Sequence, residues 1–261
     1  MKAHRIKGIV LRYMFIMKHS LNRWSDMIYW PILDLLIWGL TIKYMTALSL
    51  NPQKMIISFI AGMLLWTFVW RGQYEISVSI LEDLWSRNLI NLFVSPLTFW
   101  EFISAFIIIG ILKAGIGFII ASSVAFLLYK VNMFALGFYL VPFALLLFMT
   151  GWWVGFFVGG LILRYGTKVE QFAWSMVYLV SPFSAIYYPL SILPNWAQTV
   201  AKLIPTSYIF EGAREVITKG ILDPKKILYC FILNCIYMAL AIFFMRKSFN
   251  KILQKGLVKV Y

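Results

Sequence analysis

Residues 75–101, EISVSILEDLWSRNLINLFVSPLTFWE, form an amphipathic segment between two apolar runs that are each long enough to span a bilayer. Apolar side chains recur at helical spacing from Ile76 to Trp85, which gives this segment one apolar face. Charged side chains occupy the rest of the segment: Glu75, Glu82, Asp83, Arg87 and Glu101. The pattern predicts a helix at the membrane surface that offers acids and an arginine to a soluble partner.

The composition is that of a membrane protein. Of the 261 residues, 62% are hydrophobic and only 13% are charged, whereas soluble domains have about 45–50% apolar and about 25% charged residues. We therefore expect an all-α polytopic protein with a single membrane domain over residues 1–261. The formal net charge is +14, and basic residues cluster at the termini. This distribution favours anionic lipid headgroups, and not nucleic acid, as the partner of these charges.

The N-terminal residues 1–26 are predicted to form an amphipathic interface helix. Tyr13, Met17 and Trp24 lie on its apolar stripe, and basic residues occupy the opposite side. The segment lacks both a continuous apolar core and a small-residue cleavage site, so it does not resemble a cleavable signal. Two interpretations remain open: a general membrane-surface anchor, or a helix that also contacts a cytoplasmic partner.

Six apolar stretches are long enough to cross a bilayer as helices, at residues 27–48, 54–70, 102–128, 134–163, 169–188 and 227–245. An even number of spans places both termini on one side. Basic residues concentrate on that side, at the termini and at Arg71, Arg87, Arg164 and Lys168. The excess of positive charge predicts that both termini and residues 75–101 are cytoplasmic in a multi-pass protein of the cell membrane.

The last predicted outer loop, residues 189–226, is too apolar for a plain solvated loop. It begins PLSILPNWAQTVAKLIPTSYIF, and prolines 189, 194 and 205 forbid one long helix. We expect one or two short helices, partly re-entrant, that roof the outer end of the bundle. The alternative is a pair of interfacial helices without a gating role.

Two ionisable residues fall inside predicted spans, Asp34 in the first and Lys113 in the third. Charged groups at such depth usually face the bundle interior or a partner. We expect Asp34 and Lys113 to face each other or a shared polar cavity, and snorkelling of Lys113 towards the interface is the alternative. Small residues at helical spacing in the third and fourth spans predict close helix packing; they include Gly110, Ala114, Gly117, Gly151, Gly155 and Gly159.

Several kinds of chemistry find no support in the sequence. It has no phosphate-binding G-x-x-x-x-G-K-[ST] loop. The two histidines, His4 and His19, lie in the N-terminal helix, and no Cys/His spacing suggests a metal site. Cys230 and Cys235 are five residues apart in one predicted helix, so a disulfide between them is not expected. We therefore expect a protein without catalytic, metal or cofactor sites of its own.

The order of these features resembles the ABC-2-type permeases of ABC transporters, over essentially the whole chain. One matching run is LEDLWSRNLINLFVSPLTFWE at 81–101, with its acids, Arg87, a leucine-rich turn, Ser95-Pro96-Leu97 and Glu101. The other is SPFSAIYYPLSILPNWAQTVAKLIPTSYIFEGAR at 181–214. Its recurring elements are Pro182, Tyr188-Pro189, Leu193-Pro194, Pro205, Glu211 and Arg214.

The resemblance implies two permease copies paired with two copies of a separate subunit that binds ATP and Mg²⁺. Residues 75–101 would then include a coupling helix seated on that ATPase, with contacts from Glu82, Asp83, Trp85, Arg87 and Glu101. The outer segment would form an exit gate from Tyr188, Pro189, Pro194, Pro205, Glu211 and Arg214. Most members of the family are exporters of lipids, glycan polymers, drugs or ions. The run NRWSDMIYWPILDLLIWG at 22–39 departs from the pattern of polysaccharide exporters, so the substrate stays open.

Two other functions are compatible with the sequence. One is a membrane-embedded binding or assembly protein that recruits a cytoplasmic partner without transport. The other is a small secondary carrier or channel. Only the permease interpretation requires an ATP-binding subunit, so the existence of such a partner distinguishes the three.

Overall fold

The apolar runs form helices that pack side by side. The computed structural model describes residues 2–47, 52–87 and 98–255. Its α-helices are α1 (Ala3–Lys18), α2 (Leu21–Met45), α3 (Pro52–Trp85), α4 (Phe99–Tyr129), α5 (Leu140–Tyr165), α6 (Gln171–Val180), α7 (Asn195–Lys202), α8 (Pro205–Lys219) and α9 (Pro224–Lys255). Short 3₁₀ segments cover Met133–Tyr139, Gly166–Val169, Ser181–Phe183 and Leu190–Ile192. No strand occurs in the described residues, in agreement with the predicted all-α class.

Helix α3 is the centre of the bundle and contacts α2, α4, α5, α6 and α8. Its closest neighbour is α5, because the predicted glycine stripe of α5 lies directly against it. A Cβ atom on Gly151 would lie 2.9 Å from the Cα of Gly72, and one on Gly155 would lie 3.0 Å from the Cβ of Ile76. The prediction that these glycines allow close helix packing is confirmed.

The predicted surface helix at 75–101 is wrong in its first part. Residues 75–85 continue α3 without a break, and most of them are buried, including Glu75, Ile76, Ile80 and Leu84. The helix continues because apolar side chains recur at helical spacing beyond residue 70, the predicted end of the second span. It ends after Trp85, and Arg87 takes a left-handed conformation with φ of 55°. Residues 88–97 of the predicted coupling segment lie outside the described residues.

Four helical stretches of the described residues are long and apolar enough to cross a membrane: Pro52–Trp85, Phe99–Tyr129, Met133–Val169 and Pro224–Lys251. These correspond to four of the six predicted spans. Helix α2 has 25 residues, but its aromatic residues, Asp34 and Lys43 lower its mean hydropathy. Arg71, which the charge pattern predicts on a cytoplasmic flank, lies buried within α3.

The predicted fifth span, 169–188, is not one continuous helix. Helix α6 has only 10 residues, which reach about 15 Å, half of a typical hydrocarbon core. Pro182 has no N–H to donate to the carbonyl oxygen of Tyr178. The Ser181 hydroxyl donates to that carbonyl oxygen instead, at 3.0 Å. The chain then turns through 3₁₀ segments towards α7.

The predicted N-terminal helix 1–26 is divided in two. Helix α1 ends at Lys18, and residues from Leu21 onwards belong to α2. Ile9, Tyr13 and Met17 are buried, and α1 packs on α4. The apolar stripe of α1 therefore packs on protein within this chain.

The apolar outer segment contains the predicted short helices broken by prolines. Pro194 directly precedes α7 and Pro205 is the first residue of α8, the position where a missing N–H costs least. Gly220 ends α8 in a left-handed conformation with φ of 74°. The position of this segment relative to a membrane stays a prediction.

Candidate functional site

Three buried charged side chains meet between α3 and α4. The Lys113 ammonium donates a hydrogen bond to Oε2 of Glu75 at 2.7 Å. Nη1 of Arg71, one turn earlier on α3, lies 3.8 Å from Oε1 of the same carboxylate. All three side chains are at most 8% exposed. Gly110 lies against this cluster, because a Cβ there would be in ordinary van der Waals contact with the Cβ of Glu75 at 3.5 Å.

The cluster differs from the predicted pairing of Asp34 with Lys113. Lys113 pairs with Glu75, and within residues 2–47, 52–87 and 98–255 no ion pair or hydrogen bond reaches the Asp34 carboxylate. The sequence pattern places Glu75 in the predicted cytoplasmic segment and so does not indicate it as a partner of Lys113. Its signal was present, since Glu75 follows Arg71 by one helical turn inside a long apolar pattern.

A cavity of about 640 Å³ opens beside this cluster, between α2, α3, α4 and α6. Arg71, a member of the cluster, lines this cavity, and so does Tyr74, which lies beside the cluster. Asp34 belongs to its wall, so the expected polar cavity does contain Asp34 but not Lys113. The aromatic side chains of the wall are Trp30, Trp38, Trp66, Trp70, Tyr74, Trp174, Tyr178 and Tyr187.

Ring contacts between helices hold the cavity wall in place. The rings of Trp70 on α3 and Tyr178 on α6 are 5.1 Å apart, and those of Tyr74 and Trp174 are 5.7 Å apart. Such separations are typical of attractive aromatic pairs. These two ring pairs join α3 to α6 along the cavity wall.

Helix α1 is fixed to the end of α3 through Asp83. The Tyr13 hydroxyl donates to Oδ2 of Asp83 at 2.6 Å, and Nη2 of Arg12 donates to Oδ1 at 3.1 Å. Burial raises the pKa of Tyr13 well above its usual range, and the adjacent Asp83 carboxylate raises it further. Tyr13 therefore stays protonated and keeps donating this hydrogen bond.

Helix α1 is also fixed to the start of α4 through Glu101. The backbone N–H of Lys2 donates to Oε1 of Glu101 at 2.6 Å, and Arg5 lies 3.5 Å from Oε2. Glu101 also completes a capping box with Thr98. The T-x-x-E spacing at 98–101 could have revealed this role in the sequence.

The residues predicted to contact a soluble partner therefore differ in how exposed they are. Asp83 and Glu101 are buried against α1, at 2% and 1% exposure. Trp85 is 51% exposed at the end of α3, and Arg87 is also exposed. Glu82 is half-buried. Contacts from Glu82, Trp85 and Arg87 to another protein stay a prediction.

The predicted gate residues cluster partly around the start of the outer segment. Oε1 of Glu211 accepts from the Leu190 backbone N–H at 2.9 Å and from Nη1 of Arg214 at 2.8 Å. Nη2 of Arg214 donates to the Ala185 carbonyl oxygen at 2.9 Å. Tyr188 donates to the carbonyl oxygen of Pro182 at 2.7 Å, and Pro189 precedes the 3₁₀ turn. These contacts join α8 to the chain after α6.

The helices, the buried charges and the aromatic cavity define a helical membrane protein with an internal polar site. The family profile described as ABC-2 type transporter matches residues 12–218, which covers most of the chain. The chain belongs to the ABC-2 type transporter family, and is thus the kind of membrane component that acts as a permease. Membership implies an ATP-binding partner subunit. No curated protein matches the sequence significantly.

Proposed function

We propose that this chain is the permease subunit of an ATP-driven exporter. Two copies form the translocation path, and each is coupled to a separate subunit that binds ATP and Mg²⁺. The exported substrate is a lipid, a glycan polymer, a drug or another amphiphile. The chain itself carries no ATPase site and contributes the path, the coupling contacts and the gate.

The observation that carries this proposal is the continuous course of α3. Its 34 residues span about 50 Å at 1.5 Å per residue, well beyond a hydrocarbon core of about 30 Å. The helix borders the aromatic cavity, carries two charges of the buried cluster and ends at the exposed Trp85. Movement imposed at Trp85 would reach the cavity through one rigid element.

The proposed topology has six spans with both termini in the cytoplasm. Helix α2 and the segment around α6 would add to the four strongly apolar stretches. Helix α1 would lie at the cytoplasmic interface, where it holds the ends of α3 and α4 on either side of residues 88–97. In this arrangement α1 sets the position of the coupling segment, and the outer segment with Glu211 and Arg214 serves as the exit gate.

The test is the ATPase rate of the complex reconstituted with the ATP-binding protein encoded beside this chain. We expect Trp85→Ala and Arg87→Glu to reduce the stimulation of ATP hydrolysis by the permease at least several-fold, because both residues lie at the exposed end of α3. Phe138→Ala is the control, since Phe138 is 85% exposed in the 3₁₀ segment Met133–Tyr139 and lies outside the proposed path, coupling contacts and gate. Asp83 is unsuitable for this test, because its replacement also releases α1.

Loss of stimulation in the α3 variants, with Phe138→Ala unchanged, would support coupling through this helix end. Equal stimulation by all three variants and the unaltered chain would overturn the coupling role. A chain that neither binds nor stimulates any ATP-binding protein would be a membrane-embedded assembly protein, and the proposal would fall.

A further inference from the structure

The wall of the aromatic cavity combines one carboxylate with closely spaced indole and phenol rings. Trp30, Asp34 and Trp38 are spaced four residues apart on α2, so they share one helix face. All three line the cavity. The Asp34 carboxylate is thus placed between two indole rings, one turn away on either side.

The other helices present aromatic side chains to the same space with the same spacing. Trp70 and Tyr74 on α3 are four residues apart, as are Trp174 and Tyr178 on α6. The rings of Trp38 and Tyr187 are stacked at 6.4 Å across the cavity wall. Aromatic faces carry negative electrostatic potential and attract cations, most strongly when the site is shielded from water.

The two charged residues of the cavity wall, Asp34 and Arg71, differ in whether an oppositely charged side chain lies nearby. Arg71 has the Glu75 carboxylate 3.8 Å away, and its guanidinium carbon lies 5.5 Å from the centre of the Tyr74 ring. Asp34 has no ion pair or hydrogen bond with any residue in the described parts of the chain. The charge without a partner inside the cavity is therefore negative.

We infer that this cavity binds an organic cation, a ligand with a positively charged group on an apolar body. Asp34 supplies the counter-charge, and the rings of Trp30, Trp38, Tyr178 and Tyr187 enclose the cationic group. The volume of about 640 Å³ lies within the range of pockets for small molecules. This inference rests on the proposed function, since it names the class of substrate that the permease would carry.

The test uses two probes of matched size and shape and opposite charge, tetraphenylphosphonium and tetraphenylborate. Each is measured by equilibrium dialysis against the full-length chain in nanodiscs of one lipid composition. Each probe is compared across protein variants, so its own partition into lipid cancels. The variants are Asp34→Asn, Trp38→Leu and the control Asp223→Asn, which removes an exposed acid near the start of α9.

We expect Asp34→Asn to weaken the binding of tetraphenylphosphonium about tenfold, which corresponds to about 1.4 kcal/mol of lost attraction, and to leave tetraphenylborate binding no weaker. Trp38→Leu is expected to weaken the phosphonium probe as well, and Asp223→Asn to match the unaltered chain. Unaltered thermal unfolding of Asp34→Asn would show that the loss arises at the site, since replacing an unpaired carboxylate removes no contact.

Two results would overturn the inference. One is tetraphenylphosphonium binding that is the same in the unaltered chain and in Asp34→Asn. The other is a result in which the protein does not bind tetraphenylphosphonium, while the unaltered chain and Asp34→Asn bind a neutral maltooligosaccharide equally. That result would make the rings a stacking surface for sugars. Neither measurement involves an ATPase, so failure here would leave the permease proposal standing, and failure of ATPase coupling would leave the cation site standing.

Discussion

The ammonium of Lys113 and the carboxylate of Glu75 are 2.7 Å apart in the interior of the bundle, and this contact joins α4 to the middle of α3. Arg71 approaches the same carboxylate at 3.8 Å. Two cations thus share one anion. The three charges are not equivalent, because removal of the carboxylate leaves two buried cations whereas removal of Lys113 leaves a neutral pair.

This asymmetry gives the first prediction. Glu75→Gln should destabilise the protein by about 3–5 kcal/mol, the usual cost of leaving a buried charge without its partner. Lys113→Met should cost markedly less, because Arg71 and Glu75 remain paired. The measurement is unfolding of both variants in the same detergent. Equal stability of Glu75→Gln and Lys113→Met would contradict this account of the cluster.

A second prediction concerns the contact between α3 and α5. Gly151→Ala should cost about 1–3 kcal/mol, because the added Cβ would meet the backbone of α3. Gly115→Ala is the matched control on α4, where a Cβ would meet nothing within 4 Å. The control should be neutral or stabilising by up to about 1 kcal/mol, since alanine favours helix. Midpoints of thermal unfolding compare the two, and a Gly151→Ala variant as stable as Gly115→Ala would refute the close contact.

The third prediction addresses the attachment of α1. Tyr13→Phe removes the hydroxyl that donates to Asp83, and loss of one buried hydrogen bond costs about 1–3 kcal/mol. We expect faster amide exchange along α1 and faster trypsin cleavage after Lys18. Tyr44→Phe is the control, because Tyr44 is 84% exposed on α2. If α1 is protected equally in both variants, Asp83 does not hold this helix in place.

A fourth prediction separates two acids on α8. Glu211 accepts from both the Leu190 N–H and Arg214, whereas Glu215 makes an ion pair with Lys226 at 2.8 Å. Glu211→Ala should therefore increase amide exchange at Leu190 and lower stability more than Glu215→Ala does, since partly exposed ion pairs contribute at most about 1 kcal/mol. Exchange measured by mass spectrometry tests this, and indistinguishable exchange in the two variants would argue against the Glu211 contact.

Features whose signal lies within one continuous stretch of residues were predictable from the sequence. The glycine spacing of α5 predicted its close packing, and the prolines at 194 and 205 predicted the breaks before α7 and α8. The capping box of Thr98 and Glu101 could also be predicted from the spacing of the two residues. The sequence pattern suggested a partner contact for Glu101 instead.

Features that depend on how two helices meet were not predictable in this way. Glu75 and Lys113 are 38 residues apart, and their contact requires the relative height and rotation of α3 and α4. Asp83 seemed available to a partner because the segment was interpreted as a separate surface helix. Once residues 75–85 are part of α3, Asp83 lies where Tyr13 and Arg12 can reach it. The aromatic cavity likewise needs four helices, although the spacing of Trp30, Asp34 and Trp38 already placed them on one face.

The most direct test of the central claim, that this chain is a permease driven by a separate ATPase, is the composition of the purified complex. The chain is expressed with the ATP-binding protein encoded beside it, extracted in mild detergent and weighed by native mass spectrometry. We predict an assembly of two permease chains and two ATP-binding chains. A permease that emerges without any ATP-binding subunit, whichever candidate is supplied, would contradict the claim.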